Sequence, residues 1–131
     1  MNGWEFTNSK PIFRQIYEKL KTDIALGVYP PDSRFPSVRD LATDIGVNPN
    51  TVQKAMVMLE YDGILETRRG DGRYVCIDTA GRDRLSLEIS EGICLKFIRE
   101  MREIGLDNGE ILNSLQKILN SETEGNAKGA N

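Results

Sequence analysis

The chain has 131 residues, 39% of them apolar and 28% charged, with a formal charge of −3 and no histidine. That is room for one compact domain and a short appendage. No apolar run nears the roughly 20 residues that span a bilayer and no signal-peptide pattern opens the chain, so a cytoplasmic protein with no membrane partner is expected. Without histidine or a CxxC pair, the usual metal sites and the usual base for nucleophilic catalysis are lacking, so neither an enzyme nor a cofactor is expected; Cys76 and Cys94 read as small buried hydrophobes.

Residues 1–10 read as an extended arm anchored by Trp4 and Phe6. Pro11 suits the first turn of a helix, where a missing N–H has no intrahelical partner to lose. Ile12, Ile16, Leu20 and Ile24 recur at four-residue spacing, Phe13 and Tyr17 widen the stripe, and Gly27 closes the helix. Residues 29–36 form a rigid polar connection. Ser37 then opens a second helix with Asp40 as its capping-box partner, and Leu41, Ala42 and Ile45 make its apolar face before Gly46. After the Gly46-Val47 turn, Asn48 serves as N-cap and Pro49 as first residue of a third helix, whose buried side is Val52, Ala55, Met56 and Leu59. Gly63 ends it.

Two short helices, the second freshly capped after a glycine turn, are the mark of a helix-turn-helix. The strand-like runs 64–68 and 73–77, joined by Arg69-Gly70-Asp71-Gly72, add a hairpin. The fold class is therefore α+β, a three-helix winged helix-turn-helix with a β-hairpin wing over residues 1–79. A polar link leads to a helix over about 85–104 with Ile89, Ile93, Phe97, Met101 and Ile104 on one side. Gly105 breaks it, Asp107 and Glu110 make a second capping box, and Ile111, Leu112, Leu115, Ile118 and Leu119 form another stripe. These stripes exceed what two helices can bury against each other, so residues 80–120 read as a two-helix dimerisation region of a homodimer. Residues 121–131 read as a disordered tail.

Charge alone does not point to nucleic acid: residues 1–79 carry 10 Lys/Arg against 11 Asp/Glu, and residues 80–131 carry 7 against 9. Local placement carries the case instead. Once the core side of the third helix is assigned, Asn50, Thr51, Gln53 and Lys54 remain on its opposite face near the start, the part that meets base edges in helix-turn-helix docking. Asn and Gln amides can pair bidentately with adenine, and Lys with guanine or phosphate; solvated surface is the plain alternative for all four. Arg39 stands in the first turn of the second helix, where a cation opposes the helix dipole, so either an external anion or an ion pair with Asp40 or Asp44 is expected. Ser37 is a cap that can also help hold a phosphate, and Arg34 is a phosphate contact or an ordinary surface charge. In the wing, Arg68, Arg69 and Arg73 flank Gly70 and Gly72. Either the glycines serve turn geometry alone, or they let the wing approach a minor groove that arginine enters.

The runs Phe35-Pro-Ser-Val-Arg-Asp-Leu-Ala, Ile45-Gly-Val-Asn-Pro-Asn-Thr-Val-Gln-Lys-Ala, Leu59-Glu-Tyr-Asp-Gly-Ile-Leu-Glu and Gly70-Asp-Gly-Arg-Tyr-Val resemble the GntR family of bacterial transcription regulators. Asn-Pro-Asn-Thr-Val and the short two-helix tail resemble its YtrA-like branch. The resemblance covers about residues 9–120. It implies a winged-helix reader of double-stranded DNA, dimerisation through the C-terminal helices, and control of a nearby operon, often one encoding an ABC transporter; a repressor is expected, though the sequence does not distinguish repression from activation. It places Ser37, Arg39, Asn48, Asn50, Thr51, Gln53, Lys54 and Gly70 at DNA-contact positions. Pro49 stands where many larger members carry arginine, Phe35 where leucine is commoner, and Arg73 where threonine is frequent, which adds an expected phosphate contact.

Two other classes are compatible with parts of this pattern. A winged helix can serve as a protein-interaction module, which the acidic balance permits. Some relatives carry a fused pyridoxal-phosphate domain, but the roughly 50 residues beyond the wing cannot house one. A small-molecule effector between subunits, or between reader and helices, is compatible with the layout and is not identified by the sequence.

Overall fold

The computed structural model describes residues 4–129, with side chains through 125. The chain divides into two compact units, residues 1–89 and 90–131. The first contains α1 (Ile12–Ala25), α2 (Val38–Ile45), α3 (Pro49–Tyr61), β1 (Leu65–Arg68), β2 (Gly72–Val75) and the start of α4 (Thr79–Glu103). The second contains the rest of α4 and α5 (Asn108–Gly129).

The core of the first unit collects the apolar faces that the helical periods foretell. Ile16, Leu20 and Ile24 of α1 are fully buried against Val52, Ala55, Met56 and Leu59 of α3. Leu41, Ala42 and Ile45 of α2, with Ile64, Leu65 and Val75, close the cluster. The starts of α2 and α3 are capped as their sequences dictate. Ser37 Oγ accepts the Asp40 N–H at 3.1 Å, and Asn48 Oδ1 accepts the Asn50 N–H at 2.8 Å, with Pro49 in the first helical turn. Between these helices Gly46 stands at φ +82°, the left-handed geometry that turns α2 into α3. In the arm, Trp4 is buried and its ring lies 5.9 Å from that of Phe6; residues 1–3 of the expected arm lie outside the described residues.

The wing is an antiparallel pair in the register Leu65↔Val75, Glu66↔Tyr74, Thr67↔Arg73 and Arg68↔Gly72. The connection before α2, expected as a plain link, contributes to it. Its backbone runs along β2, with Asp32 N–H to Val75 O at 2.8 Å, Val75 N–H to Ser33 O at 2.9 Å and Phe35 N–H to Arg73 O at 2.7 Å. Phe35 is thereby held in the core with its ring 4.7 Å from that of Tyr29.

Four other expectations are corrected. α4 starts at Thr79, inside the expected polar link, because Asp78 caps it: its Oδ1 accepts the Gly81 N–H at 2.7 Å. Its first turns belong to the reader unit, since Leu85 is buried in that core and Ile89 packs against it. α5 opens on a reciprocal capping box, Glu110 N–H to Asp107 Oδ1 at 2.9 Å and Asp107 N–H to Glu110 Oε1 at 3.1 Å. It continues to Gly129, through most of the segment read as a tail, with the Thr123 hydroxyl returning to Leu119 O at 2.9 Å; residues 130–131 lie outside the described residues. Both cysteines are exposed rather than buried. Cys76 lies just past β2, next to the buried Val75 and with its N–H still bonded to Ile64 O, so it turns to the opposite face, where its Sγ reaches Gly63 O.

Candidate nucleic-acid interface

The start of α3 presents a polar surface built by its own burial pattern. With Val52, Ala55 and Met56 fully inside, Asn50, Gln53 and Lys54 are left exposed and Thr51 half-buried. Asn48 spends its side-chain oxygen on the cap, which leaves its amino group outward. Lys54 leans over the Phe13 ring of α1, its Nζ 5.6 Å from the centroid, which anchors the stem and keeps the ammonium at the edge of the face.

Beside this surface a cleft of about 680 Å³ runs between the start of α2 and the wing, lined by Arg34, Ser37, Arg39, Thr67, Gly72 and Arg73 among others. The cations expected at DNA are not equivalent here. Arg39 and Arg69 are exposed, and neither takes part in the ion pairs Lys10–Glu18, Lys19–Asp23, Arg34–Asp71, Arg68–Asp32, Arg68–Glu66 and Arg73–Glu60 seen among the described residues. Arg34 is exposed but fastened to the wing tip, donating to Asp71 O at 2.6 Å. Its guanidinium lies over Gly72, where an added Cβ would stand 3.3 Å from Nε; that glycine leaves room for Arg34, at a backbone φ of +139°. Gly70 has open space around it.

Arg73, expected at phosphate, is turned inward. Its Nε donates to Glu60 Oε1 of α3 across a short contact, while Thr67 on the paired strand donates to the other oxygen of the same carboxylate at 3.1 Å. Arg68 is drawn back in the same way: its guanidinium stacks on Tyr74, 3.8 Å from the ring centroid, and pairs with Asp32 and Glu66. Those pairs hold the Arg68 pKa above its ordinary value, and the Tyr74 hydroxyl, donating to Asp71, is likewise raised. Glu60, Thr67, Asp32 and Tyr74 carry no functional signal in the sequence, whereas Asp71 stands out there only as an acid at the wing tip that disfavours deep insertion. The Thr67–Arg73 register was the available signal, because it sets both side chains on one face of the hairpin.

Among the described residues no group of His, Cys, Asp and Glu could hold a metal, and no helix is long and apolar enough to cross a membrane. What the geometry defines is a winged helix-turn-helix whose third helix presents exposed amides beside a clamped wing. The chain belongs to the GntR family of bacterial regulatory proteins, DNA-binding transcription regulators rather than enzymes, whose pattern it matches over residues 13–75. It is 35% identical over 116 residues to the uncharacterized HTH-type transcriptional regulator YhcF of Bacillus subtilis, covering 86% of this chain and 93% of that one. It is 48% identical over 68 residues to the HTH-type transcriptional repressor YtrA of the same organism, a match spanning 52% of either chain. A solved GntR family transcriptional regulator from Listeria monocytogenes superposes with a TM-score of 0.78 at 37% identity, covering 86% of this chain and 98% of that one.

Proposed function

We propose that the protein is a cytoplasmic repressor that binds a pseudo-palindromic operator as a homodimer, with α3 reading bases in the major groove. The observation that carries this reading is the division of α3 into a fully buried side and an exposed amide-bearing start, the arrangement in which a recognition helix meets base edges. Asn50 and Gln53 are assigned to bases; Asn48, Thr51 and Lys54 flank them. Ser37, Arg39, Arg34, Arg69 and Gly70 are assigned to the backbone around the cleft, where the α2 N-terminus and two exposed guanidinium groups favour phosphate. Gly72 serves this edge by seating Arg34. Repression is the role of the relative YtrA, and an ABC-transporter operon is the target that the family resemblance implies.

Dimerisation is supported by the second unit taken alone. Ile93, Ile104, Leu112 and Ile118 are each more than half exposed, whereas Ile111 is buried. Leu115 and Leu119 are exposed, and Phe97 and Met101 half-buried. That is an apolar surface of the kind a second copy covers.

The test is selection of bound sequences from a pool of randomised duplexes by the full-length protein, followed by titration of Ala variants on the selected and scrambled DNA at several salt concentrations. Asn50→Ala and Gln53→Ala should cost about 1–3 kcal/mol on the selected site and relax preference at single base pairs. Arg34→Ala and Arg69→Ala should weaken both duplexes alike and flatten the salt slope by about one unit each. An unchanged selected-to-scrambled ratio in both amide variants would remove α3 as the reader.

A further inference from the structure

We propose that Arg73 is a positioning residue for base recognition: clamped to Glu60, it turns the Gln53 carboxamide so that α3 presents a donor rather than a donor–acceptor pair. The inference rests on the reading of α3 as the recognition helix. Glu60 and Gln53 are seven residues apart, two turns of one helix, so their side chains share a face. Arg73 lies along that face. Its Nε is bound to Glu60, one terminal nitrogen lies 3.6 Å from Met56 Sδ, and the other donates to Gln53 Oε1 at 3.4 Å. Thr67, opposite Arg73 in the hairpin, fills the second oxygen of Glu60. The carboxylate is thus held by both wing strands, and the guanidinium cannot swing to phosphate without breaking an ion pair in which both side chains are more than two-thirds covered.

A guanidinium has donors only, so the atom of Gln53 facing it must be the oxygen. The amino group then points away from the wing as the free end of the amide. Bidentate pairing with adenine requires oxygen and amino group side by side, to meet N6 and N7. With its oxygen turned toward the wing guanidinium rather than set beside the amino group, Gln53 leads with two N–H bonds, which suit the adjacent acceptors N7 and O6 of guanine. The residue most easily read as an adenine contact is therefore set for guanine, and the setting is made by the wing.

The experiment repeats the randomised-duplex selection with the full-length protein, Gln53→Ala, Arg73→Ala, Glu60→Gln and the double variant Gln53→Ala/Arg73→Ala. The pair at which Gln53→Ala loses preference marks the position read by Gln53; if no pair responds, the recognition-helix reading itself fails, whatever Arg73 does. At that pair the wild type should favour guanine over adenine. Arg73→Ala should move the guanine-to-adenine ratio about tenfold toward adenine, and Glu60→Gln should move it in the same direction. The double variant should match Gln53→Ala. Salt slopes of Arg73→Ala and wild type should coincide, since no phosphate contact is removed. A wild-type preference for adenine, an unmoved ratio in Arg73→Ala, or equal weakening of selected and scrambled DNA with a flatter salt slope would each overturn the proposal. Should Arg73→Ala melt at a markedly lower temperature, Glu60→Gln, which keeps the arginine, decides the same ratio.

Discussion

Tyr17 shows how one side chain ties two helices and sets a pH limit. Its ring is buried in the core while its hydroxyl donates to Asp62 Oδ2, the residue that ends α3. Burial pushes its pKa up to about 12, and the bond and negative charge of Asp62 push in the same direction. The folded state therefore holds this proton more tightly than the unfolded chain, whose tyrosine ionises near pH ~10. The contribution is complete below about pH 10 and is lost as pH rises toward about 12. Urea unfolding of the wild type should show stability falling across that window. Tyr17→Phe should show a shallower fall, and at neutral pH should be less stable by about 1 kcal/mol through loss of the hydrogen bond. Equal alkaline slopes in the two proteins would show that Tyr17 is not the group responsible.

Among the elements, the turn between α2 and α3 isolates a backbone effect. Gly46 is left-handed, yet nothing lies within 4 Å of where a Cβ would stand. Gly46→Ala should destabilise by about 1–2 kcal/mol through conformation alone, read as a lower urea midpoint with an unchanged m-value. The helices were legible because their signals are local: a cap, a period and a stop lie within one turn of each other, as at Ser37–Asp40 and Asn48–Pro49. The wing's third stretch was not, because Ser33 and Phe35 carry neither alternation nor length, and their partners on β2 are about 40 positions away in the chain. The start of α4 was hidden by Ala80 and Gly81, a pair that reads as a linker until Asp78 is seen capping it. The exposed amides of α3 follow from helical geometry once the core is assigned. The direction of Arg73 does not, since it depends on Glu60, two elements earlier.

At the level of the whole molecule, the reader's core ends within α4. Leu85 is buried there and Ile89 packs against it, so the boundary expected at residue 79 cuts through a packed helix. A chain ending at Ile89 should remain folded and sediment as a monomer, whereas one ending at Thr79 should lose about 2 kcal/mol or more with the Leu85 contacts. The full chain should sediment as a dimer at operator-binding concentrations, and a monomer there would sink the dimeric arrangement. The strand-like stretch before α2 bears on how such readers can be recombined. A wing drawn from two distant parts of the chain is not a transferable cassette. Grafting residues 65–75 from a relative would import β1 and β2 but leave behind Ser33 and Phe35, Arg34 over Gly72, and Glu60 beneath Arg73. Chimeras cut at the hairpin therefore inherit a mismatched seam, and only exchanges spanning residues 32–75 keep wing and reading helix as one interlocking piece.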